Sequence, residues 1–191
     1  MKVLVFGDTH IPTRTDSIPL EFYSHIESTK YQMALITGDL VNEQKMREVL
    51  PPLPRSFIVQ GNMDFSGTGH NFHELIQIEE LKVLLLHGTR IRPRGSIKQL
   101  WEVGSHVGAE IIIHGHTHNA AIDLFNDCLF LNPGTITGAT GGWSGRATAS
   151  FFELDIQGDA IEVRLFSTDW KTVRESVNHF VKTDDLITRI K

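Results

Sequence analysis

The chain is poor in cysteine. Cys128 is the only one among 191 residues, which excludes an internal disulfide and any thiolate metal cage, and makes a reducing, cytoplasmic compartment the expected setting. Long apolar runs are missing too. No stretch approaches the roughly 20 residues that span a bilayer, so no membrane insertion is expected. The apolar run after Met1-Lys2 is too short for the core of a signal peptide. Positive charge is also in deficit. The formal net charge of −5 argues against a broad electrostatic footprint for nucleic acid. No internal repeat and no low-complexity tract breaks the chain. Its length suits one domain, and a hydrophobic content of 40% is ordinary for a globular protein with a sizeable core.

The chain does have five short aliphatic runs, each ending in Asp, Asn or His beside a glycine. Val3–Phe6 leads into Gly7-Asp8-Thr9-His10, and Met33–Ile36 into Thr37-Gly38-Asp39. Phe57-Ile58-Val59 leads into Gln60-Gly61-Asn62-Met63-Asp64, Val83–Leu86 into His87-Gly88, and Ile111-Ile112-Ile113 into His114-Gly115-His116-Thr117-His118. Such runs read as strands buried on both faces. In layered α/β folds, ligands bind beyond the carboxyl ends of these strands. Five strand ends therefore point to one cleft.

Between the runs, helices are expected over about 19–27, over about 43–50 with Pro51, Pro52 and Pro54 as the stop, and after Ser96 as N-cap. After His118 the texture changes. Short strands are expected near 121–125, 128–131, 149–155 and 160–166, with turns at Asn126-Asp127 and Gln157-Gly158-Asp159. Val173, Val177, Phe180 and Val181, with Asp169 as a cap, suggest a last amphipathic helix. The domain reading is a main domain over 1–168 and a helical extension over 169–191 packed on it. Alternating strand and helix followed by a strand meander fit two packed sheets flanked by helices.

Asp8 and His10 stand two residues apart past a strand, a spacing that puts both side chains on one side of extended backbone. His116 and His118 repeat it, and Asp39, Asn62 and His87 each end another strand. Taken singly, Gly-Asp is usually turn chemistry and a lone histidine is usually hydrogen-bonded to backbone. Together they form a set of oxygen and imidazole donors. That set favours Mn²⁺, Fe, Zn²⁺, Co²⁺ or Ni²⁺. It is too large for one tetrahedral ion and suits two divalent ions sharing a carboxylate.

In this order the motifs resemble the calcineurin-like metallophosphoesterase family. Asp8-Thr9-His10, Gly38-Asp39, Gly61-Asn62-Met63-Asp64, His87 and Gly115-His116-Thr117-His118 match its pattern over about residues 1–166. Asn132-Pro133-Gly134-Thr135 is similar to the Asn-Pro-Gly-Ser segment of the small bacterial and archaeal phosphodiesterase branch. Gly7–Pro12 is similar to the Vps29-like branch of the same fold. The resemblance implies an α/β fold, a four-layer α-β-β-α sandwich of two mixed sheets flanked by helices. It implies that Asp8, His10, Asp39 and His118 hold one ion, that Asp39, Asn62, His87 and His116 hold the other, and that Asp39 bridges. His114 matches no ligand position. Met63 stands where many members carry a histidine that acts on the leaving group, and methionine cannot donate a proton.

The expected activity is metal-dependent phosphoester hydrolysis, phosphodiesters preferred over monoesters, by in-line attack of a hydroxide bridging two ions, with manganese favoured. No side chain is assigned as nucleophile. The expected substrate is a small phosphodiester or nucleotide-like molecule, contacted by Asn62 and Arg90. Arg90, Arg92 and Arg94 follow the fourth motif; a solvated basic loop is the plainer reading of them. His70 and His73 are weaker candidates for the missing acid. The glycine-rich run 138–145 is either a cover for the cleft or a plain connector. Two rival readings stand beside hydrolysis: a Vps29-like non-catalytic scaffold for protein interaction, and a DNA nuclease of the same superfamily. Self-association into a homo-oligomer is left open.

Overall fold

The computed structural model describes residues 1–191 except Ser66, Trp143, Ser144, Asp185 and Lys191. Among the described residues the elements run β1 (Lys2–Phe6), α1 (Leu20–Ser28), β2 (Met33–Ile36), α2 (Glu43–Val49), β3 (Ser56–Ile58), β4 (His73–Ile78), β5 (Leu81–Leu86) and α3 (Ile97–His106). They continue with β6 (Ile111–His114), β7 (Ala120–Phe125), β8 (Cys128–Pro133), β9 (Ala149–Gln157), β10 (Ala160–Thr168), β11 (Val173–Thr183) and β12 (Leu186–Ile190). They build two mixed sheets. One has the order β12-β11-β10-β9-β1-β2-β3, the other β4-β5-β6-β8-β7. β1, β2 and β3 are parallel in the first sheet, as are β5, β6 and β8 in the second.

The period of two along each strand explains the layering. Val3, Val5 and Leu35 from the first sheet meet Val83, Leu85, Ile111 and Ile113 from the second in a shared core. The alternate residues Leu4, Phe6, Ala34 and Ile36 turn outward onto Phe22 and Ile26 of α1 and Met46 of α2. On the far side Leu84, Ile112 and Phe130 pack on Leu100 of α3. Both faces of each central strand are thus covered, which is why these runs are aliphatic without alternation. The four layers are α, β, β, α, the expected fold.

The helices begin as the sequence dictates. Pro19 is the residue preceding α1. The Asn42 side chain accepts the Lys45 backbone N–H at α2, and that of Ser96 accepts the Gln99 N–H at α3. None of the helices is long and apolar enough to cross a membrane.

The helix expected within 169–191 is not there. Within that range, Val173–Thr183 and Leu186–Ile190 form β11 and β12, which extend the first sheet through antiparallel pairing with β10 and with each other. Val173, Val177 and Val181 are spaced by four, a spacing that repeats on one face of a strand as well as of a helix. Their β-branched side chains favour the strand, and Phe180 on the opposite face is fully buried in the core between the sheets. β4 is a second difference, since the segment after Asp64 reads as loop. Its signal is short, the buried pair Ile76 and Ile78 alternating with exposed neighbours. In the run 138–145, Trp143 and Ser144 lie outside the described residues, so the choice between cover and connector falls partly beyond them.

Candidate metal centre

The turns that follow β1, β2, β3, β5 and β6 bring the seven expected residues to one end of the two sheets. Asp8, His10, Asp39 and Asn62 come from the first sheet's turns, and His87, His116 and His118 from the second's. Two donor groups result, one of Asp8, His10, Asp39 and His118, the other of Asp39, His87 and His116, with the donor atoms of each group within 4.8 Å of one another. Asp39 is common to both. Its Oδ2 lies 3.6 Å from His10 Nε2 and 3.4 Å from His87 Nε2. Asn62 Oδ1 lies beside the second group, 3.3 Å from His87 Nε2.

The backbone is bent to make this convergence. Asp8, His10, Asp39, His116 and His118 all adopt left-handed backbone, with φ between 48° and 70°. Such conformations are held only where the surroundings enforce them, at about 1–3 kcal/mol each. Gly61 and Gly115 allow the close approach. A Cβ on Gly61 would stand 2.2 Å from Asp39 Oδ1, and one on Gly115 would stand 2.6 Å from Asp8 Oδ2.

Hydrogen bonds to backbone orient the imidazoles. His87 Nδ1 donates to Thr37 O at 2.7 Å and His118 Nδ1 donates to Ala139 O at 2.6 Å. A proton committed to Nδ1 leaves Nε2 facing inward, the arrangement typical of metal-binding histidines. The inner face is then short of donors. His10 Nε2 and His118 Nε2 approach to 3.2 Å, and His118 Nε2 lies 3.3 Å from Asp8 Oδ1. Asp8 Oδ1 and His116 Nε2 are buried without a hydrogen-bond partner. Crowded lone pairs and orphaned buried acceptors are what cations at these positions would satisfy.

The protonation pattern agrees. Burial lowers His10 to about 3. Burial, with the charges of His87 and Arg94, lowers His116 to about 4. Both rings are therefore neutral, the ligand form. Burial opposes ionisation of Asp39, but its contact with His87 holds it at about 2. Burial lifts Asp8 to about 6 against the pull of His87 and His118. Burial alone would lower His87, yet the bond to Asp39 and the charges of Asp8 and Asp39 raise it to about 9. A proton on His87 thus occupies the place a cation would take, and cation binding would release it.

Several residues have roles that their types alone did not disclose. Asp64 accepts four backbone N–H groups, from Asp39 at 2.9 Å, Leu40 at 2.6 Å, Val41 at 2.9 Å and Gly61 at 2.8 Å. It ties the turn bearing Asp39 to the turn bearing Asn62. Asn132 does the same for the His-rich turn. Its Nδ2 donates to Gly115 O at 3.1 Å and Thr117 Oγ1 at 2.9 Å, and lies 3.1 Å from His114 Nδ1. His114 is buried and joins neither donor group.

The basic residues divide. Arg92 spends its guanidinium on its own loop, donating to Thr89 O at 2.7 Å and Ile91 O at 3.0 Å. Arg94 and, to a lesser extent, Arg92 also act on the site through their charge, which depresses His116. Arg90 stands over the Phe72 ring, 5.7 Å from its centroid. His70 Nε2 contacts Glu43 Oε2 at 2.8 Å, away from the donor groups, and His73 is exposed at the start of β4. The Met63 backbone N–H donates to Asp39 Oδ1 at 2.7 Å, while the residue is 40% exposed.

With this geometry in place, comparison with known proteins is decisive. The calcineurin-like phosphoesterase superfamily domain matches residues 1–158. The chain belongs to the calcineurin-like phosphoesterase superfamily. A probable metallophosphoesterase of Methanothermobacter thermautotrophicus is 37% identical over 138 residues, which cover 72% of this chain and 78% of that protein. Among solved structures, a single mutant of Vps29 from Entamoeba histolytica aligns with a TM-score of 0.86 at 30% identity, covering 94% of this chain and 99% of that one. Wild-type Vps29 of the same organism, solved with Zn²⁺, aligns with a TM-score of 0.83 at 29% identity, covering 94% and 99%. Membership in this family, with a clustered oxygen and imidazole donor set, supports a phosphoesterase that uses divalent metal.

Proposed function

We propose that the protein hydrolyses phosphodiesters with two divalent ions, one held by Asp8, His10, Asp39 and His118, the other by Asp39, Asn62, His87 and His116. The observation that carries this reading is the shared position of Asp39 Oδ2, within 3.6 Å of His10 Nε2 and 3.4 Å of His87 Nε2. When bound, such ions activate water and neutralise charge developing on phosphorus. The chain's own groups do the rest. Asp8 and Asp39 supply two negative charges and Asn62 a neutral oxygen, so the loaded centre stays positive and suits a phosphodiester monoanion. The left-handed turns fix the donors before substrate arrives, and Arg94 adds long-range attraction for an anion. No side chain of the cluster is free to act as nucleophile. With Met63 in place of a histidine, leaving groups that need little protonation are favoured.

Manganese is the favoured ion, with Ni²⁺, Co²⁺, Fe or Zn²⁺ as the alternatives that this donor set also suits. The test is hydrolysis of bis-p-nitrophenyl phosphate with and without manganese, beside metal content by plasma spectrometry. Wild-type protein should hold two ions and turn over the diester. Asp39→Asn should lose both properties. Hydrolysis undiminished after chelation would refute the proposal.

A second reading has a specific observation behind it. The close likeness to Vps29 over nearly the whole chain supports a scaffold for protein interaction. Vps29 of Entamoeba histolytica has been solved with Zn²⁺, so an intact donor set is compatible with either role. Pure, metal-loaded protein inert on diesters and monoesters alike would favour the scaffold.

A further inference from the structure

A cavity of about 560 Å³ opens beside the second donor group and shares Asn62 and His87 with it. Its character is unlike the donor cluster. Leu86 and Ile91 are buried within it, 8% and 6% exposed. Phe72 and Val103, also lining it, are 67% and 45% exposed. Arg90 lines it too, its guanidinium over the Phe72 ring. Its volume lies in the range of small-molecule sites, which are mostly apolar with a few polar groups that set orientation. Two exposed apolar side chains, Phe72 and Val103, thus share one hollow beside the donor cluster, where a bound ligand would cover both.

We propose that this cavity receives a planar aromatic substituent of the phosphoester, of up to about nucleoside size, while the phosphoryl group rests at the Asn62–His87 side of the donor cluster. The inference rests on the phosphoesterase reading and adds to it the substrate class. The shared residues set the geometry, since a group attached to phosphorus near Asn62 and His87 has this apolar hollow as its immediate neighbour. Arg90, its guanidinium over the Phe72 ring at 5.7 Å from the centroid, adds a cation to this wall that could face a bound ring. The arginine expected to grip phosphate is thereby assigned to the organic arm.

Binding of two phosphonates to the manganese-loaded full chain tests this by titration calorimetry. Benzylphosphonate and methylphosphonate carry the same anionic head on an uncleavable C–P bond and differ only in the ring. Wild-type protein should bind benzylphosphonate at least about tenfold more tightly, the gain expected from burying part of one ring. Phe72→Ala, and independently Val103→Trp, which narrows the hollow from the side of α3, should each reduce that advantage to roughly threefold or less. Methylphosphonate should stay near its wild-type affinity and so report an intact centre. Equal affinity of the two phosphonates for wild type overturns the pocket assignment alone. So does an advantage that both variants leave intact, or a weakening of both ligands alike. Failure of both phosphonates to bind, or binding that survives chelation, removes the phosphoesterase reading and the pocket with it.

Discussion

Asp64 and Asp39 are joined through the chain rather than through their charges: the carboxylate of the first accepts the backbone N–H of the second at 2.9 Å. The same carboxylate holds Leu40, Val41 and Gly61. Val41 sits at φ 69°, a conformation that a β-branched residue adopts only under constraint. Asp64 is therefore a positioning residue for Asp39.

Replacing it should loosen the site without removing any ligand. Asp64→Ala should lower manganese affinity by about 10–100-fold, the usual effect of losing a group that orients ligands. Stability should fall by about 2 kcal/mol, since several buried N–H groups lose their acceptor. Calorimetric titration with manganese and chemical denaturation read the two effects. Wild-type metal affinity in the variant would show that the turns hold their shape unaided.

Gly61 should tolerate no side chain. In Gly61→Ala the new methyl would stand 2.2 Å from Asp39 Oδ1 and 2.3 Å from Asp39 N, so the carboxylate or the whole turn must move. Overpacking of this kind costs about 1–3 kcal/mol. Metal content should drop with it. Gly141→Ala, where a Cβ meets no atom of the described residues within 4 Å, is the control and should leave both quantities unchanged.

Away from the metal centre, Glu153 is buried and collects four partners. Lys2 Nζ lies 3.1 Å from Oε1, His25 Nε2 3.3 Å from Oε2, Tyr31 OH 3.0 Å from Oε2 and Arg164 Nε 3.8 Å from Oε1. Burial would raise this carboxyl, but the bonds from Lys2, His25 and Tyr31 outweigh it and hold it below its ordinary value. A depressed acid stabilises the fold above its unfolded pKa of about 4.3, and that contribution fades as pH falls through the folded value. Glu153→Gln should therefore destabilise by about 1–3 kcal/mol at neutral pH. The difference from wild type should shrink as pH falls below the ordinary glutamate range and through the lowered folded value, where both side chains become uncharged. Urea denaturation across pH 3–7 measures it. A difference that does not change with pH would remove Glu153 ionisation from the account.

Much of this was legible in the residues. The five aliphatic runs supply strands, four inside their sheets and β3 at an edge, and Asp8, His10, Asp39, His87, His116 and His118 meet in two donor groups with Asp39 common to both, with Asn62 Oδ1 3.3 Å from His87 Nε2. That legibility has a physical cause, since a strand buried on both faces must be aliphatic throughout and must end where polar groups begin. The C-terminal hairpin was not legible, because valines spaced by four satisfy both periods and only pairing with β10 decides between them. β4 escaped because two buried isoleucines are too short a pattern to register. The role of Asp64 escaped for another reason. An aspartate near a metal motif suggests a ligand, whereas here all its capacity goes to backbone three to twenty-five positions away.

Each donor cluster takes members from both sheets, so neither half of the sandwich holds a complete cluster. A break between the halves would leave two incomplete hands. Cations bound across that seam would act as clasps between the layers, and releasing them would be the natural first step in prising the sandwich open.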